Sequence, residues 1–246
     1  MSVQTPEELA GLSAAGRVVA DALRAMRRAA RPGVSTAELD AIAARILRRA
    51  GARSGPQLDY GFPGVTCISV NDEAVHGIPG PRRLRDGDLA KLDVTAELDG
   101  FYADACIPVS IGHSRPPAGR LVLSARSSLS RALGIARPGT QLHEVGAVIE
   151  NTARARGHAV CCELAGHGIG RRIHEWPEVP NCADPRLTQR LTEGLVITIE
   201  PIVSAGSGAV RVTGDGWTIR TADGALSAHV EHTIVVTDGA PLILTA

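Results

Sequence analysis

The chain carries no net charge: 26 Lys and Arg balance 26 Asp and Glu over 246 residues. That balance removes the electrostatic reason to expect nucleic acid or an anionic membrane as a partner. Lysine is almost missing, since Lys91 stands alone against a large excess of arginine. This reads as a compositional bias of the source, because arginines scattered along helices are ordinarily solvated surface. No run approaches the about eighteen uncharged apolar residues of a membrane span, and the opening MSVQTPEELAGLSAAG lacks the basic and apolar regions of an export signal. An unexported, cytoplasmic protein is the expectation. The five cysteines (Cys67, Cys106, Cys161, Cys162, Cys182) are odd in number and contain no C-x-x-C pair. They suggest neither a disulfide framework nor a zinc ribbon, and they suit a reducing compartment.

What is present is length and repetition. A chain of this size buries roughly 70–75% of its unfolded surface, enough for a core without staples. RPGVSTAELDAIAARILRRAGAR at 31–53 returns as RPGTQLHEVGAVIENTARARGHA at 137–159, pairing Arg31 with Arg137, Gly33 with Gly139, Glu38 with Glu144 and Gly51 with Gly157. Each copy follows an amphipathic helical stretch, about 7–30 and 117–136, and opens a second one with apolar residues at helical spacing. Pro-Gly separates the helices, and Gly51 or Gly157 supplies a stop. Runs that read as strands follow each pair: GVTCISV, LAKLDVTAEL and FYADACIPVSI in the first half; AVCCELA, LVITIEPIV, AVRVT, GWTIRT and LSAHVEHTIVVT in the second. The spacing predicts one internally duplicated α+β domain over 1–246, with halves of about 7–112 and 117–240, in which helices cover one face of an antiparallel sheet. A site made by both halves would lie in the middle.

Acids on the predicted strands are the candidate chemistry. Asp99-Gly100 between two alternating runs predicts a two-residue hairpin that sets Leu98 opposite Phe101 and Thr95 opposite Asp104. Asp93 and Asp104 then share a face as diagonal neighbours, roughly 7–8 Å apart at Cα. Taken alone, the hairpin fits a cation site and two solvent-facing acids equally well. Glu200 and Glu231 interrupt apolar strands of the second half, where a lone charge is costly unless paired or metal-bound. His167, between glycines at 166 and 168, would by itself be a loop residue; beside four acids it is a candidate fifth ligand. Two Asp, two Glu and one His suit Mn(II), Fe(II) or Co(II), with Zn(II) also compatible, and fit a hydrolytic two-metal site better than a structural zinc.

At this point CISVNDEAVHGIP (67–79), LDVTAELDGFYADA (92–105), GHGIGRRIHEWP (166–177), TIEPIV (198–203) and the run from Asp215 to Val236 resemble the successive blocks of type I methionine aminopeptidases. The resemblance runs in order over about residues 7–243 and implies the pita-bread fold of that family. It implies that Asp93, Asp104, His167, Glu200 and Glu231 hold a dinuclear metal centre. Glu200 would also pass a proton toward the leaving amine. His76 and His174 would contact the scissile peptide from outside the metal shell, and Phe62, Cys67, Ile173 and Trp217 would line a methionine pocket. Implied partners are the N-termini of new polypeptides, with the ribosome as a further candidate, for a monomer that binds neither nucleic acid nor membrane. Proline-specific and creatinase-like peptidases share the fold but usually carry a large additional N-terminal domain. Some pita-bread proteins only bind peptides, a route marked by lost ligands, and no ligand position is lost here. The departures are Asp59-Tyr60 where Tyr-His is common, Leu164 where an aromatic or methionine is common, Trp176 for a common acid, and His229 where glutamine is usual.

Overall fold

In the computed structural model, which describes residues 1–114 and 116–246, the repeat appears as two helix pairs, each leading into strands. The first pair is α1 (Pro6–Ala29) and α2 (Thr36–Ala50), followed by β1 (Arg53–Ser54), a short α3 (Gly55–Tyr60), β2 (Cys67–Val70), β3 (Glu73–Val75), β4 (Leu89–Leu98) and β5 (Phe101–Ser110). The second pair is α4 (Pro116–Ile135) and α5 (Leu142–Arg154). After it come β6 (Ala159–Val160), β7 (Ala165–Gly168), β8 (Glu175–Pro180), β9 (Val196–Ile199) and β10 (Ile202–Ser204). The chain closes with β11 (Val210–Val212), β12 (Ile219–Thr221), β13 (Ser227–His229), β14 (His232–Val235) and β15 (Leu242–Ile243).

The residues shared by the two copies do the same local work. The Glu38 carboxylate accepts the Ser35 N–H at 2.7 Å, and that of Glu144 accepts the Gln141 N–H at 2.6 Å, so each second helix starts on the same cap. Gly33 and Gly139 take φ of 90° and 92°, a left-handed turn that glycine adopts without a Cβ penalty, and their amides donate to Leu84 O and Leu191 O.

The pleat decides what each strand face meets. Along β4 and β5, Ala90, Leu92, Val94, Ala96, Ala103 and Ala105 pack with Leu23, Met26 and Leu39 of α1 and α2. Alternation therefore sends Asp93, Thr95, Asp104 and Cys106 to the face away from those helices. In the second half Ile197, Ile199 and Ile234 pack against Leu121, Leu129, Val145 and Ile149 of α4 and α5, which leaves Thr198 and Thr233 on the opposite face. The halves meet where β5 lies beside β14. The Asp104 N–H donates to Thr233 Oγ1 at 2.8 Å, Thr233 Oγ1 donates back to Asp104 O at 2.7 Å, and the Glu231 N–H donates to Cys106 O at 3.0 Å.

Four features differ from the sequence expectation. The single predicted sheet is divided into four ladders: β4 paired with β1, β2 and β5; β13-β10-β6; β11-β12-β3; and β15-β14-β9-β7-β8. LVITIEPIV and LSAHVEHTIVVT break at Glu200-Pro201 and at Val230-Glu231, where the backbone leaves one ladder and joins another. AVCCELA is a strand only at its ends, since residues 161–164 form a turn. Finally, Cys162 and Cys182 form a disulfide with Cα atoms 5.3 Å apart, while Cys67, Cys106 and Cys161 are free and buried. Spacing could not reveal that pair, because the contact arises only when the β6–β7 turn meets the segment leaving β8.

Candidate metal centre and its cavity

The Asp99-Gly100 turn closes β4 on β5 in the expected register, with Leu98 opposite Phe101, Thr95 opposite Asp104 and Asp93 opposite Cys106. Asp93 and Asp104 are thus diagonal neighbours on the face turned from the helices. Glu200 and Glu231 come from the two breaks between ladders, and His167 from β7. Atoms of Asp104, His167 and Glu231 able to ligate lie within 4.8 Å of one another. His167 Nε2 stands 3.6 Å from Glu200 Oε1.

Thr198 organises this cluster. Its Oγ1 accepts the His167 N–H at 3.0 Å and donates to Glu200 Oε1 at 2.9 Å. The His167 ring is fixed by Nδ1 against Gly168 O at 2.9 Å, an arrangement in which Nδ1 carries the proton and Nε2 keeps its lone pair for the cluster. Asn181 Nδ2 donates to both Leu164 O and Glu200 O at 3.0 Å, anchoring the break that carries Glu200.

Four carboxylates brought together with little water cannot all ionise without a counter-charge. Burial, then the Asp104 charge, pushes Glu200 well above its ordinary range, and burial with Asp104, Glu200 and Asp93 does the same to Glu231. Asp93 is raised by burial, Asp104 and Glu200, and burial lifts Asp104 to about 6. Burial lowers His167 to about 3, with His174 adding to it, which keeps the imidazole neutral and able to ligate. Among the described residues no lysine or arginine pairs with any of the four acids, and Asp104 Oδ1 and Glu231 Oε1 are buried without a hydrogen-bond partner. Hard oxygen donors, a ligand-ready imidazole and orphaned carboxylate oxygens fit divalent cations.

These groups open into a cavity of about 150 Å³ that also takes in Phe62, Cys67, His76, Ile173, His174, Trp217 and His229. All eleven candidate site residues from the sequence therefore meet in one space. Phe62 and Trp217 face each other edge-on with centroids 5.2 Å apart, giving the apolar recess its walls. The Asp215 carboxylate accepts the N–H of Trp217 and of Thr218 at 2.8 Å each, shaping the turn that presents the indole. His76 holds a φ of 56°, a left-handed backbone uncommon for a side-chain-bearing residue. The His174 ring lies 4.2 Å from that of His167.

Contacts that the sequence did not disclose involve the departing positions. Tyr60 Oη sits 2.6 Å from His174 Nδ1. Asp59 accepts from Tyr102 Oη at 2.8 Å and from the Ile173 N–H at 3.2 Å, tying α3 to the loop that carries His174. The only sequence signal for either residue was its departure from the pattern before GFP. Trp176 is largely exposed beside a more open groove that shares Leu164, His167 and His174 with the cavity.

Known proteins resemble this chain in sequence and in fold. Residues 10–238 match metallopeptidase family M24. Methionine aminopeptidase 2 of Bacillus subtilis is 42% identical over 100% of this chain and 99% of its own. The crystal structure of methionine aminopeptidase from Thermotoga maritima superposes with a TM-score of 0.96 at 35% identity, covering 100% of this chain and 99% of that one. Prolidase from Pyrococcus furiosus, 22% identical with a TM-score of 0.80 over 99% of this chain and 65% of that one, shares the fold alone.

Proposed function

The chain belongs to metallopeptidase family M24 and, within it, to the methionine aminopeptidases; from that premise we propose that it removes the initiator methionine from new polypeptides whose second residue is small. Asp93, Asp104, His167, Glu200 and Glu231 would hold two divalent cations, with Fe(II), Mn(II) or Co(II) suited to so many oxygen donors and Zn(II) compatible. The observation that carries the reading is one cavity joining this buried donor set to an apolar recess walled by Phe62 and Trp217. When bound, the cations supply Lewis acidity, which lowers the pKa of a water toward neutrality and polarises a carbonyl.

The remaining steps belong to the chain's own side chains. Glu200, which lines the cavity beside His167, can take up a proton and hand it to the leaving amine. The Tyr60 hydroxyl engages His174 Nδ1, which leaves Nε2 to donate to the oxygen on which negative charge develops. His76, which lines the same cavity, is the second donor to the peptide. Phe62, Cys67, Ile173 and Trp217 exclude water around the first side chain, where a thioether packs well against aromatic edges. The open groove past His174 and Trp176 is the exit for the rest of the chain.

The reading extends to a cytoplasmic monomer acting on chain N-termini, with the ribosome as a candidate partner. Among the described residues no helix is long and apolar enough to cross a membrane. Full-length protein loaded anaerobically with Mn(II), Fe(II) or Co(II) should release methionine from Met-Ala-Ser and leave Xaa-Pro dipeptides intact. Preferential cleavage of Xaa-Pro, or no cleavage of Met-Ala-Ser with any of the three metals, would overturn it.

A further inference from the structure

The short connection between β13 and β14 sends two polar side chains toward the cavity, Glu231 and, two residues earlier, His229. His229 is 2% exposed, and neither of its ring nitrogens has a hydrogen-bond partner among the described residues. A buried imidazole with both nitrogens unpaired is costly and calls for a partner of another kind. Its Nε2 lies 3.6 Å from Glu200 Oε2 and 3.6 Å from Glu231 Oε2. That is too long for a hydrogen bond, yet it equals the separation His167 Nε2 keeps from Glu200 Oε1. Two ligand atoms about 2.0–2.2 Å from one ion at angles near 110–120° lie about 3.3–3.8 Å apart. Glu200 is therefore flanked by two imidazoles, one toward each of its oxygens.

We propose that His229 is a further metal ligand, a second imidazole donor alongside His167. The proposal rests on the metal-centre reading above and adds to it a residue at which the resembled family usually carries glutamine. A donor set of four carboxylates and two imidazoles is softer than one with a single imidazole, so the site is tuned away from Mn(II) and toward Co(II), Fe(II) or Zn(II). The competing role for His229 is to hydrogen-bond Glu200 and Glu231 and hold them in place. His229→Gln separates the two, because the amide still donates an N–H but the imidazole is gone.

The test uses full-length protein freed of metal with EDTA and reloaded anaerobically with Co(II). Hyperfine-shifted, exchangeable imidazole N–H signals in the proton NMR spectrum count the ligated histidines, and calorimetric titration gives the Co(II) affinity. The expected result is two imidazole signals in the wild-type protein and one in His229→Gln, with the affinity of at least one Co(II) falling by about 10–100-fold. A single imidazole signal in the wild-type protein overturns the proposal, and that measurement stands even where the variant fails to fold. A folded His229→Gln with unchanged spectrum and affinity overturns it as well. Wild-type protein that takes up no Co(II) would sink the metal-centre reading and this inference together, whereas uptake with one imidazole sinks this inference alone.

Discussion

Replacing Thr198 by valine deletes one hydroxyl at the centre of the site while keeping the shape of the side chain. Thr198 is fully buried, and its Oγ1 both accepts the His167 N–H and donates to Glu200 Oε1. Valine leaves the His167 amide buried and unpaired, which costs about 1–3 kcal/mol, and removes a donor from a carboxyl group that burial keeps protonated in the metal-free protein, worth about 0.5–1.5 kcal/mol. One hydroxyl serves both contacts, so the two losses combine and a net loss of about 3 kcal/mol is expected. For a chain of this length that lowers Tm by about 6–12 °C. Thr198→Ser keeps the hydroxyl and loses one methyl, about 1 kcal/mol. Thermal or urea unfolding of EDTA-treated parent, Val and Ser variants reads the difference without metal linkage. Adding Co(II) should widen the gap for Val: a carboxylate and imidazole held less firmly lose about 10–100-fold in metal affinity. Under saturating metal that is about 1.4–2.7 kcal/mol more. Equal unfolding of Val and Ser, or a Val variant as stable as the parent, would refute the role given to this hydroxyl.

His174→Ala should retain its metal while kcat falls by about 10²–10³-fold, whereas His167→Ala should lose metal content as measured by elemental analysis; equal loss of metal from both would remove the division of labour between them. Tyr60→Phe should lower kcat by about 10-fold with KM little changed, since it removes the 2.6 Å contact to His174 Nδ1 and touches no ligand; a change confined to KM would contradict that. Metal-free protein should lose stability as pH rises above about 6.5, the ordinary histidine value. Buried His167 and His229, both lowered to about 3, are by then neutral folded and unfolded, so their contribution, which grows as pH rises from acid, is complete. Asp93, Glu200 and Glu231, raised in the folded state, still bind protons that the unfolded chain has already lost, which makes the slope negative; buried Lys91, lowered to about 7, works in the opposite direction above that value, so the fall is read between about pH 6.5 and 7. Urea midpoints that rise over this range in EDTA would refute the assignment, and saturating metal should abolish the fall.

Local rules carried much of the fold. A two-residue turn, Asp99-Gly100, determines the register of ten residues on either side, and so Asp93 and Asp104 could be set side by side before any coordinates. The stop at Gly51 was equally readable, because glycine takes the left-handed cap that ends α2 without a Cβ penalty. The places where the reading fell short are those governed by distant partners. LVITIEPIV is apolar on both faces apart from Thr198 and Glu200, so alternation marks no break there, and in LSAHVEHTIVVT the alternation runs up to Glu231 without a turn residue, yet the chain leaves its ladder at both glutamates, held by Asn181 at Glu200 O and by Cys106 O at the Glu231 N–H. The disulfide joins residues twenty apart across a turn and a sheet edge. Asp59 and Tyr60 reach partners more than a hundred residues away, Ile173 and His174, and Thr198 looked only like a polar interruption until the amide of His167 was seen above it. His229 was visible as an odd residue in its block, but its two equal distances to Glu200 and Glu231 exist only in three dimensions.

The left-handed backbone at His76 bears on how such a protein changes under selection. A side-chain-bearing residue in that conformation is less favourable than glycine by about 1–2 kcal/mol, and the ring projects into an accessible cavity rather than a packed core, so little burial is lost with it. A screen that rewards heat resistance alone is therefore expected to enrich His76→Gly, raising Tm while the purified variant loses turnover. Asn71 and Asp99 share that backbone conformation but do not line this cavity, so of the three only at His76 would the proposed role set activity against endurance in deciding which residue stands there.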